Sequence, residues 1–405
     1  LTVCMKIIKD PVHGYVEVPD FALRLLDSPL LQRLRYIKQL GFSYLVYPGA
    51  NHTRFEHSLG TMYLADIMSR QLMLSPDEHR LVVISALLHD IGHGPYSHAI
   101  EPLMEDFTNR RHHHVRELLN HPSIADVLEQ NGISAHDVTG IIEGKHLLSG
   151  IIYGELDVDR MDYLLRDAHY TGAPYGTVDA HRLIRNTLVA DGHIILHENG
   201  INAAESLLIA RTLMRPAVYF HHVSRIAEMM FSLAVLEHAS ENPPEVIKKV
   251  CRMDDAACMQ ALLHSDSEVA RNIAGRIYSR QLFKRALYVG KDQVNIVRLA
   301  AFSHTTNKRS IATEIAKEAE CLPEDVLVDI PVFPRSMSVH VQVKGRHRIL
   351  ALNEVSPLLN TLNETRWGQW KLGVYTLPEH RKDVSAAATE ILNIKPLTTQ
   401  EKLRL

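Results

Sequence analysis

The stretch that most constrains this chain is an apolar run, Leu81 to Leu88, that ends in an adjacent His89-Asp90 pair. A run of that length and composition reads as a buried helix. A helix that carries a histidine and an aspartate into a core needs a polar partner for them there. Neutral imidazole and carboxylate are good ligands for a hard or borderline divalent cation, so a metal ion meets that need. Gly92 and Gly94 then break the helix and carry His93 and His98 around a tight turn.

Composition narrows the field. With 405 residues the chain has room for two or three domains, and 46% apolar with 22% charged residues is ordinary for a soluble globular protein. A formal net charge of -3 provides no global basic field for duplex nucleic acid, so nucleic acid is not an expected partner. Cys4, Cys251, Cys258 and Cys321 form no CxxC pair and fit a reducing compartment. No apolar run is long enough to span a membrane, and Leu1-Thr2-Val3-Cys4-Met5 lacks signal-peptide regions, so a cytoplasmic protein is expected. Histidine is the outlier: there are 25, many of them between His52 and His121.

Residues 6–18 alternate around a Pro/Gly turn and predict a hairpin. Helices are expected over 20–26, Leu30–Leu40, Thr61–Leu74, Asp77–Asp90, 99–107, Val115–Leu119 and, as two short pieces, 123–148. The stretch 151–167 reads as one helix that stacks Asp159, Asp162, Tyr163 and Arg166 on a face, either solvated or a cleft wall. Residues 188–198 predict a hairpin turning at Asp191-Gly192. Residues 202–237 read as long helix interrupted near Pro216, and 245–302 as helical. After Pro323 three β-type runs, 326–330, 337–343 and 371–375, alternate with helical stretches at 356–364 and 381–394. The expected fold is mainly α. Residues 1–240 form the catalytic helical core, 241–320 a helical extension and 321–405 a small α+β C-terminal region.

Three separated elements offer hard-metal ligands: His57, His89-Asp90 and Asp159. Two imidazoles and two carboxylates leave positions for water and substrate, which is a hydrolytic arrangement suited to one divalent ion of Mg, Mn, Fe, Ni or Zn. His93 and His98 can protonate a leaving oxygen. Arg54, Arg160 and Arg211 are candidate phosphate clamps, since the guanidinium fork matches phosphate oxygens. Tyr163 and Tyr219 are placed to pack against or hydrogen-bond a sugar.

The order His57, His89-Asp90, Asp159 resembles the HD-domain phosphohydrolase superfamily. The words Asp10-Pro11-Val12-His13-Gly14, the stretch Gln32 to Gly41, Arg54-Phe55-Glu56-His57-Ser58-Leu59-Gly60, the stretch His89 to His98, and Asp157-Val158-Asp159-Arg160-Met161-Asp162-Tyr163 resemble its deoxynucleoside triphosphate triphosphohydrolase branch. Within that branch they are similar to the SAM-and-HD-domain enzyme, here without a SAM domain. The resemblance covers roughly residues 5–225 strongly and the remainder weakly.

It implies an HD-domain helical core and hydrolysis of a dNTP to deoxynucleoside and triphosphate. It implies that His57, His89, Asp90 and Asp159 hold the metal and that His93 is catalytic. Glu101 stands where the family has a relay aspartate, and a further relay histidine is His112 or His113. It places Gln39, Leu40, Arg54, His98, Arg160, Tyr163, Asp167, Arg211 and Tyr219 around the substrate, with Arg160 where the family often has lysine. Lys6, Ile7, Asp27, Gln32, Arg35 and Phe55 match a regulatory site for a guanine nucleotide, GTP or dGTP, at a subunit interface; a second regulatory site is poorly matched at His197, Asn199 and Ala203. A homodimer or homotetramer is implied. Two alternatives stay open: a phosphohydrolase acting on a monophosphate or an alarmone, and a nucleotide-sensing or nucleic-acid-binding protein with a vestigial metal site.

Overall fold

The computed structural model describes residues 6–190, 193–300, 302, 304–334, 341–346 and 348–396. Among the described residues helices dominate, with three small sheets, the first of which precedes them. The first sheet is the expected hairpin: β1 (Lys6–Asp10) pairs antiparallel with β2 (Gly14–Val18). The second takes β3 (Thr187–Ala190) and β4 (His193–His197), antiparallel to each other, together with two later strands. The third is built on β5 (Lys284–Gly290) and β6 (Val326–Asp329). Strands β7 (Gln342–Lys344) and β8 (Ile349–Ala351) complete the second sheet in the order β3-β4-β7-β8. Strand β9 (Lys371–Thr376) sits between β5 and β6, antiparallel to both. The expected Asp191-Gly192 turn and residues 337–340 of an expected strand lie outside the described residues.

Several helices differ from expectation, each for a local reason. The Arg54–Gln71 helix starts before Thr61 because the Glu56 carboxylate accepts from the Thr53 N–H (2.6 Å) and hydroxyl (3.1 Å) at its N-terminus. The Leu30–Leu40 stretch is helical only over Pro29–Arg33, followed by a tight turn at Leu34–Tyr36. Beyond it the Lys38 N–H goes to Asp255 and the Gln39 N–H to the His52 carbonyl, so tertiary partners replace the helical ladder. The 151–167 helix begins only at Val158, because the buried Asp157 carboxylate caps it by accepting from the Arg160 and Gly154 N–H groups. Residues 110–114 turn without forming a helix, leaving a single turn at Arg116–Leu119. The stretch 245–302, expected to be helical throughout, contains β5, whose pairing with β9 overrides local preference.

No helix among the described residues is long and apolar enough to cross a membrane. Val82, Val83, Ile84, Ala86, Leu87 and Leu88 of the Pro76–Leu88 helix are fully buried. Each large side chain among them contributes about 1.5–3 kcal/mol on burial. That apolar anchor carries His89 and Asp90 into the interior between the Arg54–Gln71 and Val158–Thr171 helices.

Candidate active site

His57 lies in the first turns of the Arg54–Gln71 helix, and His89 ends the Pro76–Leu88 helix with Asp90 behind it. Ligand atoms of His57, His89 and Asp90 lie within 4.8 Å of one another. His89 donates from Nδ1 to the Ala86 carbonyl (2.7 Å), and His57 donates from Nδ1 to Asp162 Oδ2 (2.7 Å). Each neutral ring therefore carries its lone pair on Nε2, and these two atoms face each other at 3.3 Å. Asp90 Oδ1 is 3.3 Å from His89 Nε2. Asp159 Oδ1 is 3.0 Å from His57 Nε2 and 3.8 Å from His89 Nε2. Acceptors converge here, so a proton or a cation must sit among them. Burial alone would push the His57 pKa down, but hydrogen bonds with Asp159 and Asp162 and the Asp90 charge hold it up at about 10. A buried cluster that draws positive charge this strongly, with both Nδ1 atoms already committed, fits a divalent metal. The donor set is shared by several such ions and does not select one.

Behind this centre lies a second buried layer. Asp162 accepts from His13 Nε2 (2.6 Å), from His57 Nδ1, and from Arg166 Nε and Nη2 (2.9 Å each). Arg166 Nη1 reaches Asp10 Oδ2 (2.8 Å), whose other oxygen accepts from the Val12 and His13 N–H groups. The Asp162-Arg166 pair crosses the Arg54–Gln71 helix at Gly60, where a Cβ would meet Asp162 Oδ1 at 1.8 Å and Arg166 Nη2 at 2.4 Å. Only glycine leaves room for this layer, which fixes the tautomer of a candidate metal ligand. Asp10, His13 and Arg166 were not among the expected site residues. Their signal was present, as Asp10 and His13 share one turn and Arg166 lies one helical turn after Asp162.

The turn after Asp90 holds the histidine cluster. His93 Nε2 is 3.3 Å from Asp90 Oδ1, and its ring stacks on His112 with centroids 4.0 Å apart. His112 Nδ1 donates to Glu101 Oε1, and His98 Nδ1 donates to Glu101 Oε2 (3.0 Å). Burial favours the neutral Glu101, but its bonds from His112 and His98 outweigh that and hold its pKa far below the usual carboxylate range. Burial, Arg54 and His112 push the His93 pKa well down. The geometry distinguishes the two relay candidates. His112 meets both Glu101 and His93, whereas the His113 ring lies against the rings of His112 and His114. Burial and those neighbours lower the His113 pKa to about 4. Gly92 admits the 112 backbone, since a Cβ there would lie 1.8 Å from the His112 carbonyl oxygen.

Arg54 ties the turn to the metal group. It donates to Asp90 Oδ2 (2.9 Å), Ser97 Oγ (2.9 Å) and His98 Nε2 (3.4 Å). Tyr96 and Ser97 take left-handed backbone angles (φ 54° each). The turn is clamped by Asp255, which accepts from the Tyr96 N–H (2.6 Å) and the Lys38 N–H (3.0 Å). No sequence pattern signals Asp255, because its partners are backbone groups of distant loops.

The expected sugar side assembles around Asp167, which accepts from His52 Nε2 (2.7 Å) and the Tyr219 hydroxyl (2.9 Å). Tyr163 meets Tyr219 edge-on at 6.0 Å, and Leu40 packs on the same cluster. Gln39 is buried with Oε1 lacking a partner among the described residues. Arg160 instead folds back onto Asp157 and the Gly154 carbonyl. Arg211 stands 3.6 Å from Glu155 on the wall of a cleft of about 730 Å³ that also exposes His98, Glu101, His112 and His113. That volume falls within the range of roughly 300–1,000 Å³ usual for small-molecule sites.

The expected regulatory residues make two sets of contacts, with Phe55 itself buried. Lys6 Nζ is 3.9 Å from Asp27 Oδ1, both exposed; Gln32 accepts from Arg35 Nε (2.8 Å); and the Arg35 guanidinium lies 3.6 Å over the Phe55 ring. Ile7 is exposed beside them on β1.

The arrangement could hold a metal ion, and comparison with known proteins places the chain among phosphohydrolases. The family model described as HD domain matches residues 54–167, and that described as HD associated region matches residues 178–403. The chain belongs to the HD-domain phosphohydrolase family. An uncharacterized protein of Methanocaldococcus jannaschii is 34% identical over 94% of this chain and 81% of its own length. The deoxynucleoside triphosphate triphosphohydrolase SAMHD1 of Bos taurus is 29% identical over 80% of this chain, which spans 66% of that protein. A crystal structure of a phosphohydrolase from Bacteroides thetaiotaomicron superposes with a TM-score of 0.71 at 25% identity, covering 92% of this chain and 99% of that one.

Proposed function

We propose that the chain is a metal-dependent dNTP triphosphohydrolase that converts dNTP and water to deoxynucleoside and triphosphate. The observation that carries this reading is the facing pair of His57 and His89 Nε2 lone pairs at 3.3 Å, flanked by Asp90 and Asp159 and adjoining the His93-His112-Glu101 cluster. His57, His89, Asp90 and Asp159 hold one divalent ion, which supplies Lewis acidity toward a phosphoryl oxygen. Arg54 neutralises and orients the phosphate beside them, since its fork already bridges Asp90 and His98. His112 donates to Glu101 and stacks on His93, which places this cluster to supply the proton that the leaving 5′ oxygen takes up. Asp167 and Tyr219, with Gln39 and its unpartnered Oε1, form a polar wall for the deoxyribose.

The test is to incubate the purified protein with each dNTP and NTP under Mg, Mn, Fe, Ni and Zn in turn, with chromatography for inorganic triphosphate. Triphosphate is expected from dNTPs. Orthophosphate from monophosphates alone would move the activity to another nucleotide, and no product across the panel would sink the reading.

The Lys6, Ile7, Asp27, Gln32, Arg35 and Phe55 cluster is proposed to take a guanine nucleotide as activator in a homodimer or homotetramer, with the Asp27 carboxylate accepting from the guanine edge. Activation by GTP or dGTP is expected, and Asp27→Ala is expected to abolish it while leaving unactivated hydrolysis intact. An Asp27→Ala variant that responds like the parent counts against this site.

A further inference from the structure

Asp255 is a buried carboxylate whose side chain leaves its own helix for two distant loops. It opens the Asp255–Leu263 helix, and Cys258, Met259 and Leu262 of that helix pack in the same apolar core as Phe42, Tyr96 and Ile100. The base of Asp255 is therefore fixed by packing. Its neighbour Asp254 caps the helix, accepting from the Ala257 N–H (2.8 Å), so Asp255 is not needed for that task. Instead Oδ1 accepts from the Tyr96 N–H (2.6 Å) and Oδ2 from the Lys38 N–H (3.0 Å). An apolar side chain at 255 would leave the buried Tyr96 N–H without its acceptor.

The two N–H groups belong to different halves of the candidate site. Tyr96 lies in the turn that carries His93 before it and His98 after it. Lys38 immediately precedes Gln39 and Leu40, on the sugar side. The halves also touch directly. Ser97 Oγ donates to the Lys38 carbonyl (2.7 Å), and the Tyr96 and Phe42 rings stack with centroids 4.2 Å apart. Gly41 comes so near that a Cβ there would lie 2.9 Å from the Tyr96 carbonyl oxygen. The turn needs such holding, because Tyr96 and Ser97 are consecutive left-handed residues, a conformation that persists only where the surroundings impose it. Arg33 holds its other end, donating to the carbonyls of His93 (2.5 Å) and Ile91 (3.2 Å), and also to that of Met253 (2.8 Å), two residues before Asp255.

We infer that Asp255 is a positioning residue that sets the register between the histidine turn and residues 38–40, and through it the protonation of the leaving group. The inference rests on the proposed triphosphohydrolase reading and deepens it. In that reaction the oxygen of water bonds to the α-phosphorus, the bond from phosphorus to the 5′ oxygen breaks, and the 5′ oxygen takes a proton from the histidine cluster. The sugar bearing that oxygen lies on the Gln39 side and the proton donor lies on the turn. Asp255 is bonded to both, so it acts on the distance between them, and neither of its two bonds goes to a candidate metal ligand.

The experiment compares the parent with Asp255→Asn, which keeps one acceptor, and Asp255→Ala, which keeps none. The substrates are each dNTP and its analogue with sulfur in place of the bridging 5′ oxygen, from which a thiolate departs without needing a proton. For dNTPs kcat is expected to fall about 10-fold in the asparagine variant and about 100-fold in the alanine variant, with KM changed less than about threefold. For the thio analogues most of that loss is expected to disappear. Backbone hydrogen exchange, which needs no turnover, is expected to quicken together over residues 38–41 and 93–98. If the alanine variant does not fold, the asparagine variant carries the test, its fold checked by circular dichroism and its metal site by an unchanged metal-induced melting shift. An equal loss on oxygen and sulfur substrates, a folded asparagine variant with the parent's kcat, or unchanged exchange in both segments overturns the inference. If the two segments loosen together and yet the parent releases no triphosphate from any dNTP, the register role of Asp255 stands and the proposed reaction falls.

Discussion

His89→Ala is expected to lose its metal and to lower dNTP hydrolysis by about 10³-fold or more, while the metal-free protein stays folded. The two halves of this result have different causes. His89 contributes one lone pair to the centre and one hydrogen bond, from Nδ1 to the Ala86 carbonyl. Without metal, removing it costs about 1 kcal/mol, the net value of such a bond, and relieves crowding among the acceptors. With metal the balance reverses. A cation saturating the parent at 1,000 times its Kd stabilises the fold by about 4 kcal/mol, and that increment vanishes with the site. Lewis-acid stabilisation of a phosphoryl transition state is worth several kcal/mol, and about 1.4 kcal/mol is tenfold in rate. The measurements are bound metal by mass spectrometry, the melting shift on adding Mn or Mg, and triphosphate release. A variant that keeps the parent's metal-induced melting shift would show that the ion does not sit between His57 and His89.

Much of this buried cluster was legible because its residues follow local rules. His89-Asp90 stands out as a polar pair at the end of an apolar helix, and Asp159 and Asp162 share one face of another helix, expected to be solvated or a cleft wall. The ambiguity left in that face is resolved by packing: Asp162 and Arg166 are fully buried, while the Asp159 side chain stays 29% exposed beside the histidines. The choice between His112 and His113 needed the fold, since it depends on where the 110–114 turn meets Glu101. Strand β5 was not legible either. Its residues follow a helix rich in arginine, and only β9, far along the chain, makes it a strand. Asp255 shares that character, since it acts on a turn built by another region, through backbone N–H groups.

Asp162→Asn is the substitution expected to damage the fold most. The Asp162 carboxylate is fully buried and accepts four hydrogen bonds, two from Arg166 and one each from His13 and His57. Burial favours its neutral form, but Arg166 first and then the two histidines hold its pKa well below the usual range, so it is ionised in the folded chain. An asparagine of the same shape keeps one acceptor and turns the other into an NH₂ group facing donors. Arg166, also fully buried, would be left with Asp10 as its remaining carboxylate partner. Breaking a buried ion pair on one side costs about 3–5 kcal/mol, several times the value of a surface pair. The sign with pH follows from the depressed carboxylate. Its contribution is present above the ordinary aspartate pKa and is lost as pH falls through the lower folded value, so the gap between parent and variant should narrow in acid. Metal affinity should fall as well, by about 10–100-fold, because His57 loses the partner that fixes its Nδ1 proton and aims Nε2 at the centre. Chemical denaturation at pH 7 and at a pH well below the ordinary aspartate value of about 3.9, with metal titration on the folded fraction at pH 7, measures both. A variant within 1 kcal/mol of the parent at pH 7 would mean that Arg166 is held by Asp10 alone and that the layer beneath His57 is packing rather than charge. A variant that is destabilised but binds metal as the parent does would instead separate the two roles, leaving Asp162 to hold the fold and Asp90 with Asp159 to orient the ligand set.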